Sequence, residues 1–291
     1  MQKHFICVNE IQLAVYEYEC TKGNPKGSAI FFHANGFHAR CWDRIIARLP
    51  EIHCWALDTR GHGQSDKPTP HNPWQEAGRD ASAVVRALGL KNALGVGHSL
   101  GGNMLIRAAA TVPEAFSALL LIDPVVFAKK GYFKHSYMPE THFVNQRRNE
   151  WRDADEMFER FVGRGPFRLW QREILRDYCD YCLIPNPHGE GFVLACHPLT
   201  EAHTYTSAQL IQNADIYEHI ARINHPVRVL CCSKITDSTT DLSASPTTPD
   251  LADHFKHGED ICLPEPYTHL IPMEDPTLIA EHVRQLLCLT N

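Results

Sequence analysis

No run of 18 apolar residues occurs in the 291-residue sequence, so no transmembrane helix is predicted. No long basic run occurs either, and the net charge is −6, which argues against a nucleic-acid partner. The opening Met1-Gln2-Lys3-His4-Phe5-Ile6-Cys7 carries one lysine, and its apolar run breaks at Asn9 and Glu10. No signal peptide is expected from it. No internal repeat or low-complexity tract stands out. Cys179-Asp180-Tyr181-Cys182 has no second pair at zinc-site spacing, so it points to no metal centre. The 11 cysteines are odd in number, and Cys54, Cys231 and Cys232 lie inside apolar runs. Buried reduced thiols fit this better than a disulfide framework, and a reducing, cytoplasmic compartment is expected.

What is present is a globular composition, 44% hydrophobic and 21% charged. The length suits one large α/β domain or a core carrying an insertion. Short apolar runs bounded by turn residues predict buried strands at Ala29–Phe32, Ile52–Leu57, Ala93–Val96 and Ala118–Ile122. Two further β-type runs lie at Phe5–Val8 and Ile11–Tyr18. Helical spacing at Cys41–Leu49, Pro73–Leu88 and Leu100–Thr111 alternates with the strands, which predicts a mostly parallel sheet flanked by helices. From Val125 to Pro226 the pattern turns polar, helical and aromatic, and reads as a mostly helical insertion. The strand pattern resumes at Val227–Cys232, with a helix at Leu251–His257, a strand near Asp260–Leu263 and a last helix at Thr277–Leu289. The domain reading is therefore a core of 1–124 and 226–291, with a cap or lid of 125–225.

The strongest chemical signal is Gly97-His98-Ser99-Leu100-Gly101, a G-x-S-x-G pattern between a strand and an Ala-rich helix. A serine nucleophile needs a sharp, strained turn that projects its oxygen from the sheet, and the crowding two positions away favours glycine. The following helix turns its free N–H groups toward the place where an oxyanion would form. Acyl transfer needs two such donors. One is the Leu100 amide, next to Ser99. The other is expected from His33-Ala34-Asn35-Gly36-Phe37, after the third strand.

These segments resemble the α/β-hydrolase superfamily over roughly residues 10–124 and 226–290. The loop Asp58-Thr59-Arg60-Gly61-His62-Gly63-Gln64-Ser65-Asp66 looks like the superfamily's D-x-R-G-x-G-x-S loop, which is scaffold. The resemblance implies the α/β-hydrolase fold and a Ser…Asp…His order. His33–Phe37 looks like the H-G-x-G oxyanion loop, with Ala34 where glycine is usual. By position Asn35 supplies the second N–H, with Phe37 as competitor. His33 is expected to brace this loop. His269–Pro276 resembles the catalytic-histidine loop and singles out His269 among 18 histidines. The acid is expected after Val227–Cys232 at Asp237, with Asp241 and Asp123 as alternatives; its role is to orient His269.

The implied chemistry is a covalent acyl-enzyme route without metal or organic cofactor, on a small-molecule ester or acyl substrate. A serine at position 99 excludes the epoxide hydrolases and haloalkane dehalogenases of this fold, which need an aspartate nucleophile. Carboxylic ester hydrolysis is the leading expectation. C–C, lactone or thioester hydrolysis, acyl transfer and ligand binding on a retained fold are the alternatives. The insertion is expected to cover the carboxyl ends of the strands. Its aromatics suit either an apolar acyl pocket or its own core. Arg147, Arg148 and Arg152 suit either a clamp on an anionic substrate or a solvated face.

Overall fold

The computed structural model describes residues 1–134, 138–236 and 241–290. In chain order its strands are β1 (Gln2–Val8), β2 (Ile11–Tyr18), β3 (Ser28–Phe32), β4 (His53–Leu57), β5 (Ala93–His98), β6 (Phe116–Ile122), β7 (Glu150–Trp151), β8 (Leu183–Pro185), β9 (Phe192–Leu194), β10 (Val227–Cys232) and β11 (Gly258–Leu263). Eight of them form one sheet in the order β1-β2-β4-β3-β5-β6-β10-β11. β2 runs antiparallel to both neighbours, and the pairs from β4 to β11 are parallel.

Strand side chains alternate between two cores, one on each face of the sheet. Ile30 and Phe32 of β3 pack under the helices Pro73–Ala87 and Leu100–Thr111. Ala29 and Phe31 pack on the other face with Trp42, Ile45 and the helix Pro276–Thr290. β5 follows the same rule with glycines. Leu94 and Val96 fill the second core, whereas Gly95 and Gly97 let the helix Leu100–Thr111 settle close to the sheet. A Cβ on Gly97 would lie 2.4 Å from the Gly101 carbonyl oxygen.

The chain order reverses at β3, since β4 lies on one side of it and β5 on the other. Open α/β sheets bind ligands beyond the carboxyl ends of strands at such a switch point. Here the segments following β3, β5 and β6 emerge side by side, because Phe32 pairs with Gly97 and His98 with Ile122.

Between β6 and β10 the chain leaves the sheet. The excursion closes at a neck where the Phe133 amide donates to Gln209 O at 2.9 Å and the Ile211 amide to Phe133 O at 2.8 Å. The flanks of the expected insertion belong by packing to the main core: Val125–Phe127 and Ile216, Ile220 and Ile223 lie in the cluster under Leu100–Thr111. The excursion is not wholly helical. It also holds a small antiparallel sheet, β7-β9-β8. Trp151, Met157, Phe158, Trp170, Ile174 and Leu175 make its own core, which also takes in Cys41, Leu270 and Met273 from the main body. Two expected helices are shorter than their spacing suggests. Cys41–Leu49 is a tight turn followed by Asp43–Ile46, and only the turn Ala252–His254 forms within Leu251–His257. Among the described residues no helix is long and apolar enough to cross a membrane.

Candidate active site

Ser99 sits between β5 and the helix Leu100–Thr111 with φ 57° and ψ −116°, a conformation L-residues avoid. Close packing enforces the turn. A Cβ on Gly101 would stand 2.1 Å from the Phe32 carbonyl oxygen. Backbone bonds pin the turn from both sides: the Ser99 amide donates to Ile122 O, and the amides of Gly102 and Val125 donate to Ser99 O.

His269 follows β11 and precedes the short helix Ile271–Glu274. Its Nε2 lies 3.0 Å from Ser99 Oγ. Its Nδ1 lies 2.7 Å from Oδ2 of Asp123. Because the ring hydrogen on Nδ1 donates to a carboxylate, Nε2 is left as the acceptor facing the serine hydroxyl. Asp123 is fully buried at the end of β6, in a left-handed conformation with φ 44°. Its second oxygen, Oδ1, accepts from Ser245 Oγ at 2.5 Å.

The acid was expected at Asp237, which lies outside the described residues. The carboxylate on His269 belongs to Asp123. The sheet gives the physical reason: β6 neighbours β5, so the residue after Ile122 lies beside the residue after His98. The loop after β10 contributes the Ser245 hydroxyl instead. Asp241 is held at the surface by Ser243 and Lys234.

The expected oxyanion donors can now be compared. The Phe37 amide is committed to Ala34 O at 3.2 Å and the Gly36 amide to His62 Nε2 at 3.0 Å. Among the described residues no hydrogen-bond partner is found for the amides of Asn35 and Leu100. Gly36 has φ +78°, a conformation that favours glycine, and a Cβ on it would stand 2.6 Å from Oε1 of Glu201 and push that carboxylate aside.

Three buried histidines hold the loops as neutral rings. His33 donates from Nδ1 to Ala34 O and accepts at Nε2 from the Thr59 amide, which is the bracing role expected of it. His62 donates to Arg60 O and accepts from Gly36. Burial pulls the pKa of His33 and of His62 down to about 3. Burial, with the proximity of the His269 ring adding to it, holds His98 well below the ordinary histidine value. Neutral His98 donates from Nε2 to the His269 backbone carbonyl at 2.8 Å and so anchors the loop that carries His269. Asp58 is scaffold, as its motif implies: its carboxylate accepts from the amides of Ala39 and Gln64 and from the Tyr16 hydroxyl.

Beside these loops lies a cavity of about 260 Å³. Gly36 and Phe37 of the loop after β3 and Leu270, next to His269, form part of its wall. Phe143, Phe161, Phe167, Trp170, Tyr178 and Tyr205 come from the excursion. Its aromatics thus divide between the two expected roles, with Trp151 and Phe158 in the excursion's own core and Trp170 in both. Of the three arginines, Arg147 reaches the cavity, Arg148 stacks over Trp151 and pairs with Glu156, and Arg152 pairs with Asp153 in solvent. The stretch Leu194–Ala202 has a structural role that its sequence did not announce. His197 caps the helix Pro198–Ser207 through Nδ1, and that helix presses Glu201 against Gly36. Cys179 and Cys182 are buried thiols of the excursion core.

Comparison with known proteins agrees with this fold. The chain is 33% identical over 102 residues to the 2-(acetamidomethylene)succinate hydrolase of Mesorhizobium japonicum, a match covering 34% of this chain and 37% of that protein. It is 37% identical over 109 residues to lipase LipV of Mycobacterium tuberculosis, covering 35% of this chain and 40% of the lipase. These matches therefore span well under half of either relative. An AB hydrolase superfamily protein of Bacillus subtilis is 29% identical over 232 residues, covering 78% of this chain and 80% of that protein. The crystal structure of E-2-(acetamidomethylene)succinate hydrolase superposes over 99% of both chains with a TM-score of 0.72 at 18% identity, a likeness of fold. The model of the alpha/beta hydrolase family matches residues 29–282, and the chain belongs to that family.

Proposed function

We propose that this chain is a serine hydrolase that cleaves a carboxylic ester with an apolar acyl group, using Ser99 as nucleophile, His269 as general base and Asp123 as the orienting acid. The observation that carries the reading is the unbroken chain of hydrogen bonds from Ser99 Oγ through the His269 ring to the buried Asp123 carboxylate. His269 Nε2 takes the hydroxyl proton as Ser99 Oγ bonds to the acyl carbon. The carbonyl π pair moves onto oxygen and is met by the amides of Asn35 and Leu100. His269 then returns the proton to the departing alkoxide as the C–O bond breaks, which leaves an acyl-Ser99 ester. Water, deprotonated by the same Nε2, attacks that ester and releases the acid, and the proton returns to Ser99. Asp123 keeps its charge throughout and stabilises the imidazolium.

The aromatic wall supports an apolar acyl group, and 260 Å³ is slightly below the usual ligand-pocket range of about 300–1,000 Å³. The test is hydrolysis of p-nitrophenyl esters from acetate to palmitate by wild type and Ser99→Ala. The expected profile peaks between butyrate and octanoate and is nearly abolished in Ser99→Ala. If the wild type cleaves none of the esters, the ester reading fails. A fluorophosphonate label on Ser99 then separates a hydrolase of other specificity from a binding protein.

A further inference from the structure

The cavity wall contains two charges that the acyl-enzyme route does not use. Arg147 follows the turn Phe143–Gln146, and Glu201 lies on the helix Pro198–Ser207. Nη1 of Arg147 donates to Oε2 of Glu201, and Nη2 donates to the Tyr178 hydroxyl at 3.3 Å. The Glu201 side chain is 6% exposed and that of Arg147 26% exposed. Otherwise the wall is aromatic or aliphatic, apart from the Tyr178 and Tyr205 hydroxyls.

Left alone, a guanidinium in such a wall would be a strong receptor for a carboxylate, because its fork matches two oxygens and the surrounding side chains are mostly apolar. Glu201 already occupies that role. A second carboxylate entering the cavity meets a cation whose charge is cancelled, together with a like charge beside it. We propose that the Arg147–Glu201 pair sets the acyl specificity: the cavity accepts an uncharged acyl chain and rejects one that ends in a carboxylate, and Glu201 enforces the rejection by neutralising Arg147. For turnover this rests on the ester reading; its consequence for binding does not.

The experiment separates the two. In the Ser99→Ala background, titration calorimetry compares hexanamide with adipamate, which has the same length but ends in a carboxylate. With Glu201 present, hexanamide is expected to bind at least about tenfold tighter. Glu201→Gln keeps the shape of the side chain and frees the Arg147 charge. The affinity ratio should then move toward adipamate by about 10- to 100-fold, the range of a charge-assisted hydrogen bond. In the double variant Arg147→Met/Glu201→Gln the preference for hexanamide should return. A role confined to holding the fold would not produce this reversal. Equal binding of the two ligands with Glu201 present overturns the proposal. So does absent hexanamide binding, a ratio unmoved in folded Glu201→Gln, or a shift that survives in the double variant. Should Glu201→Gln not fold, Arg147→Met alone serves: weaker or unchanged adipamate binding is expected, and tighter binding refutes the idea. In parallel, wild-type turnover of p-nitrophenyl hexanoate and mono-p-nitrophenyl adipate reports on the ester reading. Absence of turnover there leaves the binding ratio to stand or fall by itself.

Discussion

Replacing Asp123 by asparagine keeps the volume of the side chain and removes its charge. Two losses follow from the geometry. The imidazolium that forms on His269 loses a carboxylate 2.7 Å away in a fully buried position. An Asn side chain can also turn its NH₂ toward Nδ1, which drives the ring hydrogen to Nε2 and leaves Ser99 without a base. A charge-assisted hydrogen bond accounts for about 1.5–3 kcal/mol of this. With the wrong tautomer added, such a change in a serine triad costs about 10⁴ in kcat, or about 5.5 kcal/mol of barrier. The assay is kcat on p-nitrophenyl hexanoate at pH 8, with the rate of fluorophosphonate labelling as an independent readout of the nucleophile. Thermal unfolding confirms that the variant is folded. Asp237→Asn, run beside it, should stay within a few-fold of wild type. If Asp123→Asn retains a tenth or more of wild-type kcat while Asp237→Asn loses about 10³, the assignment of the acid is wrong.

Ser245→Ala removes the donor to the other Asp123 oxygen and should lower kcat/KM about tenfold with KM little changed, as steady-state kinetics will show. Gly36→Ala forces a Cβ against Glu201 and strains φ; the displaced Asn35 amide should cost about 10²–10³ in kcat, and an unchanged kcat would remove Asn35 from the oxyanion site. Gly101→Ala meets the Phe32 carbonyl, which cannot give way without moving the sheet, so the variant should be largely insoluble or melt far below wild type. Acid should destabilise the fold through His33 and His62: the unfolded chain binds their protons from about pH 6.5 downward and the folded chain only near 3, so stability present above 6.5 is lost across that window. Urea unfolding at pH 7.5 and 5.5 should differ by about 2–3 kcal/mol from these two rings, and His62→Gln should remove about half of that difference.

Much of the fold could be read from the sequence, because the parallel strands are buried on both faces and stand out as short apolar runs between turns. β5 and β6 were both legible this way, and so was the strained serine between Gly97 and Gly101. The excursion was harder. Its short strands β7, β8 and β9 have two or three residues each, too few for a period of two to show. Its flanks are hard to read because Ile216, Ile220 and Ile223 look like any amphipathic segment until the helix Leu100–Thr111 is seen beside them. Glu201 was hidden for a similar reason. A glutamate within a helix reads as a solvated residue, and nothing local announces that Gly36, 165 positions earlier, has left room for its carboxylate. The carboxylate that meets His269 is the instructive case. Asp123-Pro124 directly follows a strand, yet such a pair also looks like a plain turn. Choosing between Asp123 and Asp237 requires knowing that β6 lies next to β5, and strand order is not written in either segment.

That strand order also explains why Ser245 stands where it does. β10 borders β6, and the Asp123 amide donates to Leu230 O, so the loop leaving β10 passes the Asp123 side chain. A second carboxylate in contact there would repel the first, raise the pKa of one of the two, and weaken the hold on His269. A serine does the opposite. Its hydroxyl donates to Oδ1 while its own oxygen accepts from the Thr247 amide. Both Asp123 oxygens are then occupied, one by His269 and one by Ser245, and the carboxylate has a single orientation. Desolvating an unsupported charge at this depth would cost several kcal/mol. The hydroxyl offsets part of that cost, and it lets Asp123 hold His269 from the end of β6, a strand bordering the one that leads to Ser99.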